Sequence, residues 1–179
     1  MKTTKLWSQD LYFQALHFAA EAHKDQKFGD TDLPYIIHTV SVAMEVMTAI
    51  SIENIENPDL AVQCALLHDT IEDTEIQFSD IEKIFGKDAA LGVLALTKNR
   101  ELDKELRMRD SVERIKLQPK EIWIVKLADR ITNLESQPSH WTKERIIDYK
   151  SEADYILKSL GSASPFLEQR LKNRIENYC

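Results

Sequence analysis

Two cysteines, Cys64 inside an apolar stretch and Cys179 at the last position, give neither a disulfide framework nor a CxxC metal motif. A reduced, cytoplasmic setting follows from that scarcity. Glycine and proline are just as thin, at four and five residues. No serine-rich, proline-rich or single-sign run marks a linker or a disordered tail. The chain therefore reads as one domain over residues 1–179, long enough to bury a core without disulfide or metal staples. Long hydrophobic runs are missing too. Asp10, Gln14, His17 and Glu21 interrupt the segment Met1 to Ala22, which speaks against a signal peptide or membrane span and for a soluble protein.

A surplus of positive charge is also absent. The formal net charge of −7 argues against a general nucleic-acid binder, and a small polyanion fits only where positive charge is local. Lys98, Arg100, Lys104, Arg107 and Arg109 supply such a place, and Lys24 and Lys27 stand close together near the start. Glu101, Asp103, Glu105 and Asp110 are interleaved with the first group. A solvated helix face and a phosphate grip or lid over 98–110 are therefore both open readings.

What is present is helical periodicity. Leu11, Ala15, Phe18, Ala19 and Ala22 recur at helix spacing, as do Ile146, Ala153, Ile156, Leu157 and Leu160. Asn57-Pro58 and Ser164-Pro165 each read as an N-cap followed by proline at the first helical position, Ser79 with Glu82 as a capping box, and Gly86 as a helix stop. The pattern predicts an all-α bundle of about eight to nine helices, near 8–24, 36–50, 58–72, 79–85, 87–97, 103–117, 119–136, 142–160 and 165–177. The segment 25–34 is the main irregular loop.

The chemistry concentrates in three strings. His68-Asp69-Thr70-Ile71-Glu72-Asp73 ends an otherwise apolar helix, and burying those groups without partners would cost several kcal/mol each, on the order of the usual desolvation penalty. On a continuous helix His68 with Glu72, and Asp69 with Asp73, are i,i+4 pairs facing one cavity. Pro34-Tyr35-Ile36-Ile37-His38 puts a histidine at a helix start, and Lys126, Asp129 and Asn133 share one face at i, i+3 and i+7. Asp129, set among Val125, Leu127 and Ala128, invites a buried partner. A helix end emerging into water is the plain alternative for the whole string, the Glu72-Asp73 pair included, and an isolated His-Asp dipeptide means little by itself. His17, His23 and His140 read as packing or surface histidines, and Trp7, Phe13 and Trp123 as core or half-buried aromatics.

Together with Ala22-His23-Lys24-Asp25-Gln26-Lys27, Phe85-Gly86, Leu96-Thr97, Asn133-Leu134, Trp141, Arg145 and Tyr149, these strings resemble the HD superfamily. In particular they are similar to the hydrolase domain of Rel/SpoT stringent-response enzymes and to the stand-alone small alarmone hydrolases. The resemblance runs through nearly the whole chain and implies a single HD-type helical bundle. It implies that His38, His68, Asp69 and Asp129 hold one divalent ion, usually manganese, and that Glu72 and Asp73 are the catalytic carboxylates that orient a water and move its proton. It implies guanosine 3′,5′-bispyrophosphate (ppGpp) as substrate, cleaved to GDP and pyrophosphate, with Lys24, Lys27, Asn133, Trp141, Arg145 and Tyr149 near the nucleotide. The length leaves no room for a synthetase domain.

Two positions depart from the family pattern. Thr39 replaces the usual proline after the first metal histidine, a change a helix start tolerates. Phe28 stands where many relatives carry a basic residue. That loss keeps open an HD-type phosphohydrolase acting on another nucleotide, such as NADPH or a nucleoside phosphate, and a non-catalytic nucleotide sensor. Lys126 reads either as a substrate contact or as the salt-bridge partner of a core carboxylate.

Overall fold

The computed structural model describes residues 6–178, so the readings of Met1–Lys5 and of Cys179 fall outside it. Among the described residues the helical pattern is realised as α1 (Gln9–Ala22), α2 (Ile36–Ile52), α3 (Pro58–Leu67), α4 (Thr70–Asp73), α5 (Phe78–Phe85), α6 (Lys87–Leu96), α7 (Lys104–Lys116), α8 (Lys120–Asn133), α9 (Lys143–Leu160) and α10 (Pro165–Asn177). A 3₁₀ turn, Gly161–Ala163, joins the last two. The all-α expectation holds. The only β feature among these residues is an isolated antiparallel bridge between Lys27 and Pro34. Among the described residues no helix is long and apolar enough to cross a membrane.

The expected helix 58–72 is divided: its ladder lapses at His68 and Asp69 before α4 resumes it. Side chains compete for the carbonyls there. His68 Nδ1 lies 2.8 Å from the Ala65 carbonyl oxygen, and Thr70 Oγ1 donates to that of Leu67 at 2.7 Å. The backbone at His68 and Asp69 stays in the right-handed region, so α4 follows α3 closely. The N-caps at Asn57 and Ser164 form as expected, with side chains accepting from Leu60 and Leu167 amides. The capping box of α5 is set two residues earlier than Ser79, between Gln77 and Asp80.

Burial explains the layout. Every residue of α3 except Asp59 is buried, as is nearly every residue of α8 from Glu121 on, and helices apolar or enclosed all round must lie at the centre of a bundle. These two pack on each other, with α1, α2 and α6 against α3 and with α2, α9 and α10 against α8. One continuous apolar core results. The C-terminal end of α3, the middle of α8 and the first turn of α2 then converge on a single point.

Gly92 lets α6 approach this centre. A Cβ added there would meet Ile122 Cδ1 at 2.5 Å and Cys64 Sγ at 2.9 Å, and both side chains are fully buried. Gly92→Val is expected to destabilise the protein by about 2–3 kcal/mol, the upper range for overpacking, read as a lower urea midpoint with an unchanged slope.

Candidate metal centre and active-site cavity

At the point of convergence stand two imidazoles and two carboxylates. His38, in the first turn of α2, points Nε2 at His68 Nε2 across 3.3 Å. Asp69 Oδ2 lies 2.9 Å from His68 Nε2 and 3.5 Å from His38 Nε2, and Asp129 Oδ1 stands 3.7 and 3.5 Å from the same two nitrogens. The donor atoms of His38, His68 and Asp69 all lie within 4.8 Å of one another, and Asp129 closes the set from α8. Outer contacts fix the carboxylates. Tyr35 donates its hydroxyl to Asp69 Oδ2 at 2.5 Å, Lys126 Nζ lies 2.9 Å from Asp129 Oδ2, and the Asn133 amide donates to Asp129 Oδ1.

The electrostatics of this array are those of a cation site. Burial works against a charged His38 ring, but hydrogen bonding and charge from Asp129 and Asp69 outweigh it and raise the ring to about 9. Burial likewise opposes charge on His68, and Asp69 overrides it. Both aspartates lie well below the usual carboxylate range: desolvation pushes them up, and the imidazoles, with Lys126 beside Asp129, pull them further down. Four acceptors aimed at one another, three buried and Asp69 partly so, need positive charge between them, supplied by protons or by a metal ion. Mixed nitrogen and oxygen donors suit a divalent ion. With Nδ1 engaged by the Ala65 carbonyl, His68 presents Nε2 as its donor atom, as ligating histidines do.

The cluster forms one wall of a cavity of about 490 Å³. Glu72 and Asp73 line it beside the four donors. Glu72 is held by the Lys98 amide at 2.8 Å and Lys98 Nζ at 2.9 Å, and Asp73 by Arg100 at 2.9 Å. Burial, then the charges of Asp69 and Glu72, push the Asp73 carboxyl upward. Lys104, Arg107, Arg130 and Arg145 line the remaining walls, so a cavity inside an acidic protein is ringed with cations.

Of the positions singled out from sequence, His38, His68, Asp69, Asp129, Glu72, Asp73, Asn133, Arg145 and Tyr149 all line this cavity. Trp141 lines an adjoining pocket of about 350 Å³ with Asn133, Tyr149 and Phe28, and meets Tyr149 edge-on at 4.9 Å. Lys24 and Lys27 line neither. They are exposed and paired with Glu21 at 2.7 Å and Asp32 at 2.5 Å. Lys126 is the salt-bridge partner of a core carboxylate and also reaches the cavity wall. His23 is buried against Tyr35, while His17 and His140 are exposed. Sequence reasoning missed Tyr35, whose signal was its place three residues before His38. It left the basic run undecided, although Lys104 and Arg107 sit at i, i+3 spacing on one face of α7.

These features define a class of all-helical protein in which a His/Asp cluster able to hold a metal ion forms one wall of a cation-lined cavity. The family model described as "HD domain" matches residues 15–165, and the chain belongs to that family. It is 32% identical over 170 residues to the zebrafish (Danio rerio) guanosine-3′,5′-bis(diphosphate) 3′-pyrophosphohydrolase MESH1, covering 92% of each chain. The human (Homo sapiens) MESH1 is 33% identical over 165 residues, covering 89% of this chain and 90% of that one. Among solved structures, one titled as a metazoan ortholog of SpoT that hydrolyses ppGpp superposes with a TM-score of 0.81 at 28% identity, over 96% of this chain and 97% of that one.

Proposed function

We propose that this chain, acting as one domain, is a metal-dependent pyrophosphohydrolase that cleaves ppGpp to GDP and pyrophosphate and so serves alarmone removal. The observation that carries the reading is a single cavity holding a four-donor metal cluster, a pair of carboxylates and a ring of cations. The names of its relatives give the substrate.

His38, His68, Asp69 and Asp129 would hold a divalent ion; their mixed imidazole and carboxylate donors accept several such ions, and manganese is the choice that the family resemblance implies. When bound, a divalent ion supplies Lewis-acid charge at the phosphoryl oxygens and makes a nearby water more acidic. Glu72, fixed from two sides by Lys98, orients the attacking water and takes its proton. Water oxygen bonds to the phosphorus attached at the 3′ oxygen as the bond between them breaks, and a proton passes to that oxygen. Asp73, whose carboxyl is pushed upward, stands beside Glu72 as the second proton-carrying group. Lys104, Arg107 and Arg145 neutralise phosphate charge, while Asn133, Tyr149 and Trp141 border the nucleoside. The buried free thiol of Cys64 suits a reducing cytoplasmic setting.

Metal-stripped protein is expected to release no pyrophosphate from ppGpp and to regain GDP production when manganese is added. A folded, metal-loaded protein that leaves ppGpp intact would overturn the substrate. Phe28, an uncharged residue on the adjoining pocket, favours a second reading in which another phosphorylated nucleotide is cleaved at the same centre. A panel including NADPH and nucleoside monophosphates, with product analysis, separates the two, and tight ppGpp binding without turnover would mark a sensor.

A further inference from the structure

A ligating histidine must have its ring plane fixed, and the usual device is a hydrogen bond from the nitrogen that does not face the metal. His68 has that bond, from Nδ1 to the Ala65 carbonyl. His38 does not. Its Nδ1 is buried and has no hydrogen-bond partner, and rotation about the bond to an imidazole ring is broad and roughly two-fold when nothing restrains it. Packing must therefore set the plane.

Three rings surround His38. Tyr35 and His68 lie at 5.4 and 5.2 Å with interplanar angles of 55° and 60°, whereas Phe28 lies at 5.7 Å and 15°, nearly parallel. Tyr35 is already committed through its hydroxyl to Asp69, and His68 is itself a member of the cluster. Phe28 has no other bond to make. The backbone delivers it firmly: the Phe28 amide donates to the Leu33 carbonyl at 2.8 Å, the Tyr35 amide to that of Gln26 at 3.0 Å, and Gly29 turns the chain with φ of 55°. Its segment is thus tied to the residue that opens α2, the helix carrying His38.

We propose that Phe28 is a positioning residue for His38, its ring stacked on the imidazole and holding the plane of a metal ligand that lacks an outer hydrogen bond. The proposal rests on the reading of His38 as a ligand.

Two variants and two measurements test it. Phe28→Leu keeps apolar bulk without a flat ring, and Phe28→Tyr keeps the ring. With substrate absent, manganese titration of metal-stripped protein should show Phe28→Leu binding about 10-fold or more weaker, the range for lost outer partners of a ligand. Phe28→Tyr should stay within about 2-fold of the parent by the same measure. In the metal-free protein, the His38 ring protons nearest Phe28 should show a ring-current displacement, because the two rings are nearly parallel with centroids 5.7 Å apart. Phe28→Leu should abolish that displacement and Phe28→Tyr preserve it. Unchanged manganese affinity in Phe28→Leu, with only the KM for nucleotide raised, would make Phe28 a substrate contact and end the proposal. A parent protein that takes up no manganese would end the metal reading instead, and the proton resonances would still decide whether Phe28 orients His38. Should Phe28→Leu fail to fold, the parent and Phe28→Tyr spectra decide alone, an undisplaced His38 ring overturning the proposal.

Discussion

Asp69→Asn protein is expected to fold normally and to bind manganese more than about 100-fold more weakly than the parent, with ppGpp turnover falling in step. Removal of a mere outer partner costs about 10–100-fold, so a direct ligand should cost more. The asparagine keeps an oxygen for the Tyr35 hydroxyl, so little stability is lost. Asp129→Asn should behave alike toward metal and differently toward folding. Lys126, with a side chain only 5% exposed, lies 2.9 Å from Asp129, and neutralising its partner leaves a buried ammonium unpaired. Breaking a buried pair in this way costs about 3–5 kcal/mol. Metal content and thermal unfolding in excess chelator separate the two effects. Parental manganese affinity in Asp69→Asn would remove Asp69 from the ligand set.

Glu72→Gln should give the opposite signature, full metal content with turnover lowered about 10²–10⁴-fold, the usual contribution of a positioned general base. The amide fills the same space but cannot take a proton from water. It also loses the charged contact with Lys98 at 2.9 Å, so Lys98→Met is the control. If holding Glu72 were all that mattered, both variants would lose activity equally. A larger loss in Glu72→Gln assigns the proton to the carboxylate, and turnover within about 3-fold of the parent in Glu72→Gln would shift that role to Asp73.

The four metal-ligand candidates were legible chiefly because the strings around them fall in the order of a known family, since a helix end entering water would by itself account for an imidazole and a carboxylate at His68 and Asp69. Asp129 was legible for a second reason: a carboxylate three residues after Lys126 on an enclosed helix asks for that partner, and the structure pairs them. The lapse of the ladder at His68 and Asp69 was not legible. Both residues keep helical dihedrals, and what interrupts the ladder is side-chain competition for the Ala65 and Leu67 carbonyls. Nor could the sequence divide its basic residues. Lys24 and Lys27 carried a familiar motif yet sit exposed beside Glu21 and Asp32. Lys98, Arg100, Lys104 and Arg107 read equally as a solvated face or a phosphate grip, until the turn after α6 set Lys98 and Arg100 against Glu72 and Asp73 and α7 brought Lys104 and Arg107 to the same cavity. Charge interleaved along a chain does not say which sign faces inward, because that depends on how the loop enters the helix.

The donors come from α2, the end of α3 and α8, three segments far apart along the chain and joined only by packing. During synthesis the histidines and Asp69 emerge well before Asp129, so an incomplete chain has at most a three-donor site with no Lys126 to balance it. Ion capture by all four candidate donors would therefore wait until α8 has docked on α3. A ribosome-bound chain halted before residue 129 should draw metal poorly, and the arrival of the ion would report that the central pair of helices is in place.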